Sequence, residues 1–317
     1  MMCSAVFNVQ SRHNTSRFLT TQYIIGMFIS SFADSQNLDL SSNSAPFVRV
    51  RIARKSDSDA IRKLFRICFI TGKDSPARAH LSVTIRTPAF HGAFALLILS
   101  IAIEIAILFP FSWTQGTSNH SGKIAVGAGT LALLAFSYLC CVIYSSVAFF
   151  ARFCYNCLRE DLKDIPKHYE LRPVNRVSNA EENDPELEPT GKKAFWVAEE
   201  INPSTGRSAI VGCISLDELH PPLDIQPDLA ELCRMCVSPH HRRRGIANAL
   251  VEACEAHARN SKLNVSAIIL RTSFYQPSAR RLYTKNFGYK LVLEKTIYCG
   301  FERFPGYMYR KELKSQT

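Results

Sequence analysis

The sequence predicts an α/β fold of the α+β kind with a hydrophobic hairpin inserted into it. Three observations predict this. An apolar strand (Leu232–Val237), a basic turn containing one glycine and an amphipathic helix follow in direct succession. Apolar–polar alternation with period two marks further strands at Phe47–Ala53 and on both sides of an Asn202–Gly206 turn. Between those strands lie two long apolar runs that an ordinary sheet-and-helix core does not require.

The 317 residues hold one domain of ordinary size and something more. Residues 1–46 are rich in Ser, Asn and Thr, with no acidic residue before Asp34. Arg12 and Arg17 precede the apolar run Tyr23–Ile29, the pattern of a targeting peptide, although a disordered extension is the reading preferred. The strand at Phe47–Ala53 leads to Asp57, a good N-cap, and to a helix burying Ile61, Leu64, Phe65 and Cys68; this first unit spans 47–72. A helix is expected around Leu158–Tyr169. Residues 172–193, rich in Pro, Glu and Asn, read as a loop. Phe195–Glu199 and Ser208–Ile214 form a hairpin, Val265–Leu270 is a further strand, and Lys290–Tyr298 and Gly306–Glu312 supply the last two. The main unit therefore covers 155–313.

The insertion spans 92–150. Gly92–Phe109 carries one charge, Glu104, and Ile124–Phe150 carries none in 27 residues. Crossing a bilayer core takes about 20 apolar residues, so the second run suffices and the first is marginal. A pair of buried core helices explains 27 uncharged residues without a polar face less well than a membrane hairpin, of about 92–110 and 124–150. Arg78, Arg86 and His91 lie before it and Arg152, Arg159 and Lys163 after it, while the turn Ser112–Lys123 holds only Lys123. The positive-inside rule then puts both ends in the cytosol. Glu104 is expected to face the partner helix or an edge, and the sequon at Asn119 lies close to the membrane.

The formal net charge of +11 suits a protein at an anionic membrane surface that binds a polyanionic ligand. Nucleic acid is not expected as a partner, because the basic cluster is short and lacks an aromatic platform. Eleven cysteines include two C-x-x-C pairs, Cys154/Cys157 and Cys233/Cys236. The second pair sits on a strand, where residues three apart face opposite ways, and the first sits where palmitoylation competes with metal. No metal is expected.

The turn after the central strand reads Arg242-Arg243-Arg244-Gly245-Ile246-Ala247. Small residues at a strand-to-helix junction let a ligand approach unpaired N–H groups at the positive end of a helix, which is a phosphate site. This Arg-x-x-Gly-x-Ala pattern resembles motif A of the GNAT N-acetyltransferases, whose backbone amides cradle the pyrophosphate of coenzyme A. Downstream, Gln276, Ala279 and Tyr283, followed by Gly288-Tyr289, are similar to that family's second motif, with Gln276 where Asn is usual. The Phe195–Ile214 hairpin looks like the one preceding the family's cofactor strand. A GNAT domain interrupted by a hydrophobic hairpin resembles the membrane-anchored branch containing aspartate and cysteine-S-conjugate N-acetyltransferases. Asp161–Ile165, Ala194–Glu199 and Glu231-Leu232-Cys233-Arg234-Met235 carry that resemblance.

The resemblance implies a mixed central sheet flanked by helices, acetyl-CoA as co-substrate, a small amine as acceptor and an endoplasmic-reticulum membrane with its lipid as setting. Cys236 and Val237 would pair with the pantetheine arm. Arg242, Arg243, Arg244, Gly245, Ile246 and Ala247 would hold the pyrophosphate, with Gln276, Ala279 and Tyr283 completing the cofactor site. Tyr283 is the candidate general acid for the departing thiolate, a core tyrosine being the plainer alternative. Glu231 is the candidate base. Arg234, brought to the same face by a β-bulge, would fork a substrate carboxylate. Protein-lysine acetylation and an inactive scaffold are the competing functions.

Overall fold

The computed structural model describes residues 46–108, 120–174, 184–219, 226–300 and 302–313. The extension up to residue 45, most of the predicted hairpin turn and part of the 172–193 segment lie outside the described residues. Those described form two compact units. One comprises residues up to Arg78, Phe150–Ile297 and Arg303 onward; the other comprises Ala79–Phe149 with Tyr298–Glu302.

The first unit begins with β1 (Phe47–Ile52) and α1 (Ser58–Arg66), which continues as a π-turn through Ile67–Thr71. Ile61, Leu64, Phe65 and Cys68 are buried as the spacing predicts. Asp57 precedes α1, but its carboxylate takes the Arg54 N–H (2.7 Å) and both ends of the Arg51 guanidinium (2.7 and 3.0 Å) instead of capping the helix.

The second unit holds α2 (Pro76–Thr84) in part, α3 (Pro88–Leu108) and α4 (His120–Arg159), whose final stretch from Phe150 belongs to the first. Apolar side chains stay exposed along both helices, among them Leu99 at 57% and Leu133 at 69%, while one stripe of α4 (Ala128, Ala135, Leu139, Val142 and Ser146) is buried. By length and composition both are able to cross a membrane, over Pro88–Ile107 and Val126–Arg159. The first run is therefore long enough, contrary to the marginal length read from sequence. Glu104 does face the partner helix: its Oε1 lies 3.0 Å from where a Cβ would stand on Gly129.

The expected helix over 158–169 is broken. The apolar helix runs on to Arg159, and after a turn only α5 (Ile165–His168) follows, capped by Asp164 ahead of Pro166. The 172–193 segment is not wholly a loop either, for β2 (Leu171–Pro173) pairs antiparallel with β3 (Leu187–Pro189). Then come β4 (Ala194–Ile201), β5 (Ser208–Asp217), β6 (Leu229–Val237), α6 (Ile246–Ala258), β7 (Ala267–Ser273), α7 (Pro277–Arg281), β8 (Lys290–Cys299) and β9 (Glu302–Glu312).

Seven strands form a mixed sheet in the order β1-β4-β5-β6-β7-β9-β8, in which β6 and β7 are the parallel pair. Helix α6 lies on one face, where Ile246, Leu250 and Cys254 meet Ala198, Val211 and Leu232 in the main core. Gly212 permits the approach, since a Cβ there would come within 3.0 Å of Leu250 and 3.1 Å of Ile246.

Candidate active site

The register of the two parallel strands creates the site. They pair only from Leu229↔Ala267 to Leu232↔Leu270, and β6 then runs on through Cys233–Val237 without β7 beside it. Unpaired backbone at the carboxyl ends of parallel strands is where open α/β sheets bind ligands. A cleft of about 460 Å³, open mouth included, lies in this fork. Phe65 and Phe69 from α1 and its π-turn, Arg234 and Met235 from β6, Arg271 and Thr272 from β7, and Gln276, Ala279 and Tyr283 line it.

At the far end of β6 the chain enters the basic turn. Gly245 has φ +79° and nothing within 4 Å of a would-be Cβ, and it caps α6 without a side-chain bond. The first N–H groups of α6, which have no intrahelical partner, are not capped by the Gly245 position. The three arginines differ. Arg242 is held by Asp74 (2.8 Å) and the Val237 carbonyl (3.3 Å), and Arg244 by Glu200 (2.8 Å). Arg243 is exposed with φ +66° and has no ion-pair partner among the described residues. His241 bridges Ser238 and Glu200, each at 3.1 Å, which makes it a turn residue.

The predicted bulge is present. The register slips between Cys213 and Ser215 of β5, opposite Arg234, whose φ is +53°. Leu232, Met235 and Val237 consequently all pack with the α6-side core, a spacing no regular strand gives. The bulge does not leave a free guanidinium. Arg234 Nε and Nη2 donate to the two Asp161 oxygens at 2.6 and 2.9 Å, and the Tyr169 hydroxyl donates to Asp161 as well (2.9 Å). Burial opposes the charge on Asp161, but the Arg234 guanidinium outweighs it and holds the carboxyl below its ordinary range.

Glu231 corrects a second expectation. It is fully buried, and both its oxygens accept from Arg271, at 3.0 and 2.7 Å. It is not an open base on the cleft wall. Sequence reasoning assigned no role to Arg271 or to Asp161; the available signal was a charged residue directly after the apolar run of β7.

Tyr283 lies in a π-turn over Leu282–Asn286, 4% exposed, stacked edge-on against Tyr289 at 5.7 Å. It belongs both to the cleft wall and to the core. Gln276 stands at the N-cap of α7 and accepts from the Thr272 hydroxyl at 3.0 Å. Cys68 and Cys213 donate to the Val237 and Arg234 carbonyls. Among the described residues no group of three His, Cys, Asp or Glu side chains could hold a metal, the C-x-x-C pairs included.

Residues 158–289 match the Acetyltransferase (GNAT) family. The mixed sheet, the fork between its parallel strands and the glycine turn at α6 are the GNAT fold. N-acetyltransferase 8F1 of Rattus norvegicus is 32% identical over 127 residues, 40% of this chain. The chain thus spans 45% of that relative's length. Among solved structures, a GNAT acetyltransferase of Staphylococcus aureus Mu50 is 14% identical with a TM-score of 0.39, covering 84% of this chain and 100% of its own. The Salmonella typhimurium acetyltransferase yncA, solved with acetyl-CoA, is 11% identical with a TM-score of 0.39, covering 85% and 96%.

Proposed function

We propose that this chain is an acetyl-CoA-dependent N-acetyltransferase, held in a membrane by α3 and α4, whose acceptor is the amine of a small amino acid or amino-acid conjugate bearing a carboxylate. One observation carries the substrate class: among the described residues that line the cleft are two guanidinium groups, Arg234 and Arg271, and no carboxylate, since their partners Asp161 and Glu231 are not part of the lining. A cleft so lined attracts an anionic acceptor and disfavours a lysine side chain. The apolar wall of Phe65, Phe69 and Met235 suits the body of such a conjugate.

The residues fit the co-substrate. The N–H groups over Arg243–Ala247, with the Arg243 side chain, would hold the pyrophosphate, and the open edge Cys233–Val237, facing Gln276 and Ala279, would take the pantetheine arm. Acetyl-CoA supplies the activated acyl group. Tyr283, on the cleft wall, would protonate the departing thiolate, and an N–H of the β6 edge would stabilise the oxyanion. Among the described residues that line the cleft there is no carboxylate or imidazole. Glu231 positions Arg271. The arginine-rich flanks of the hairpin support a cytosolic catalytic unit, and the branch resemblance supports the endoplasmic reticulum.

Acetyl transfer should be screened over aspartate and other amino acids, S-substituted cysteines and lysine peptides. Transfer to carboxylate-bearing amines, abolished along with acetyl-CoA binding in Gly245→Leu, is the expected result. Preference for lysine peptides would overturn the substrate class. Acetyl-CoA binding without transfer to any of them would make the chain a scaffold.

A further inference from the structure

Among the described residues strand β8 ends the sheet, with β9 as its one neighbour. Its outer edge is not blunted in the usual way. Leu291, Val292 and Leu293 are 50%, 52% and 44% exposed on successive positions, so apolar side chains project from both faces of this edge strand. The opposite edge of the sheet differs: Arg49 and Arg51 of β1 are tied to Glu199 at 3.0 and 2.9 Å.

We propose that this edge is the seam of a two-fold homodimer, with β8 pairing antiparallel to β8 of a second copy about Val292. The charges select that register. Centred on Val292, Lys290 stands opposite Glu294 of the second copy, twice over. Leu291 meets Leu293 on the other face, and Val292 meets itself. Moving the axis half a residue toward the C-terminus sets Lys290 against Lys295; moving it a full residue sets Val292 against Glu294. Of these three registers the first alone pairs both charges with opposite charges and the apolar groups with one another, which is the self-complementarity an isologous interface demands. Charges on an edge strand, lysine above all, commonly discourage pairing; here Lys290 and Glu294 lie symmetrically about an axis with opposite signs.

The test uses the full chain in detergent, on a background in which the exposed Cys140 and Cys141 are Ser. Parent protein should sediment as two chains. Val292→Cys should form an intermolecular disulfide under mild oxidation, because directly opposed Cβ atoms lie about 4.5–5.5 Å apart. Leu291→Cys, off the axis, should not. Lys290→Glu should weaken the dimer about ten-fold, since it turns two attractive cross-strand pairs into two repulsive ones, and adding Glu294→Lys should restore it. A parent that sediments as one chain at micromolar concentration, equal cross-linking through Leu291→Cys, or no rescue by the double exchange would each overturn the proposal. None of these readouts depends on acetyl transfer.

Discussion

At the residue scale, the site is built from charges held in place rather than charges left free. Arg234 and Arg271 each have their carboxylate at bidentate distance and are almost fully buried. Removing one member of such a pair strands the other in a low dielectric, at a cost of about 3–5 kcal/mol. Asp161→Asn should therefore lower the melting temperature at neutral pH. The sign of its pH dependence follows from the lowered carboxyl. In the parent, the stabilisation from Asp161 is complete above the ordinary carboxylate range, near about pH 3.9, and is lost as the pH falls through that range toward the depressed folded value. The variant should lose part of this acid limb, which melting curves from pH 7 to 3 would show; an unchanged limb would mean that other carboxylates set it. Tyr283→Phe tests the proposed acid. Its turnover should fall by roughly 10²-fold with acetyl-CoA affinity unchanged. Equal losses in affinity and stability would instead mark Tyr283 as a packing residue, which its place in the core also allows. Legibility at this scale was uneven. Gly245 and Tyr283 announce themselves through spacing, whereas the partners of Arg234 and Glu231 lie 73 and 40 residues away, and no local pattern joins them.

At the element scale, the fork between β6 and β7 and the seating of α6 decide what can bind. Strand β6, the basic turn and α6 were legible because period two gives way to helical spacing across a glycine. The bulge at Arg234 was legible only as an inference from which side chains had to share a face. The short β2–β3 pair was hidden, for three-residue strands ending in proline leave no periodicity. The broken 158–169 helix was hidden too: Pro166 starts a separate turn, and the apolar helix runs on to Arg159, with Phe153, Cys154 and Cys157 buried in the first unit. Gly212 controls the distance between α6 and the sheet. Gly212→Val should drive three heavy atoms into Leu250 and Ile246, costing about 1–3 kcal/mol. It should also tilt the α6 N-terminus, so that acetyl-CoA affinity falls with stability. Retained affinity in a destabilised variant would show that the phosphate turn is positioned from β6 alone.

At the scale of the whole molecule, a mixed sheet and two long apolar helices share one chain, and the order of their elements explains why the apolar insertion was legible at all. It interrupts the sheet after its first strand and helix, so two composition classes alternate along the sequence and the boundary is abrupt. The thiols provide a test of what surrounds the hairpin. Among the described residues only Cys140 and Cys141 are exposed, both on α4 within the stretch long enough to span a bilayer. Every other described thiol is buried in protein. If lipid covers α4, a bulky, membrane-impermeant maleimide should leave both unmodified in intact vesicles and modify them only after detergent opens the bilayer. No described residue covers this α4 face, and alkaline carbonate extraction separates lipid from a peripheral partner as the source of protection. Lipid insertion keeps the protein in the pellet with its thiols protected. A peripheral partner is stripped away, which releases the chain and exposes both thiols together. Rapid labelling in intact vesicles would remove the membrane reading outright, since no water-soluble reagent of that size reaches a thiol in the hydrocarbon core.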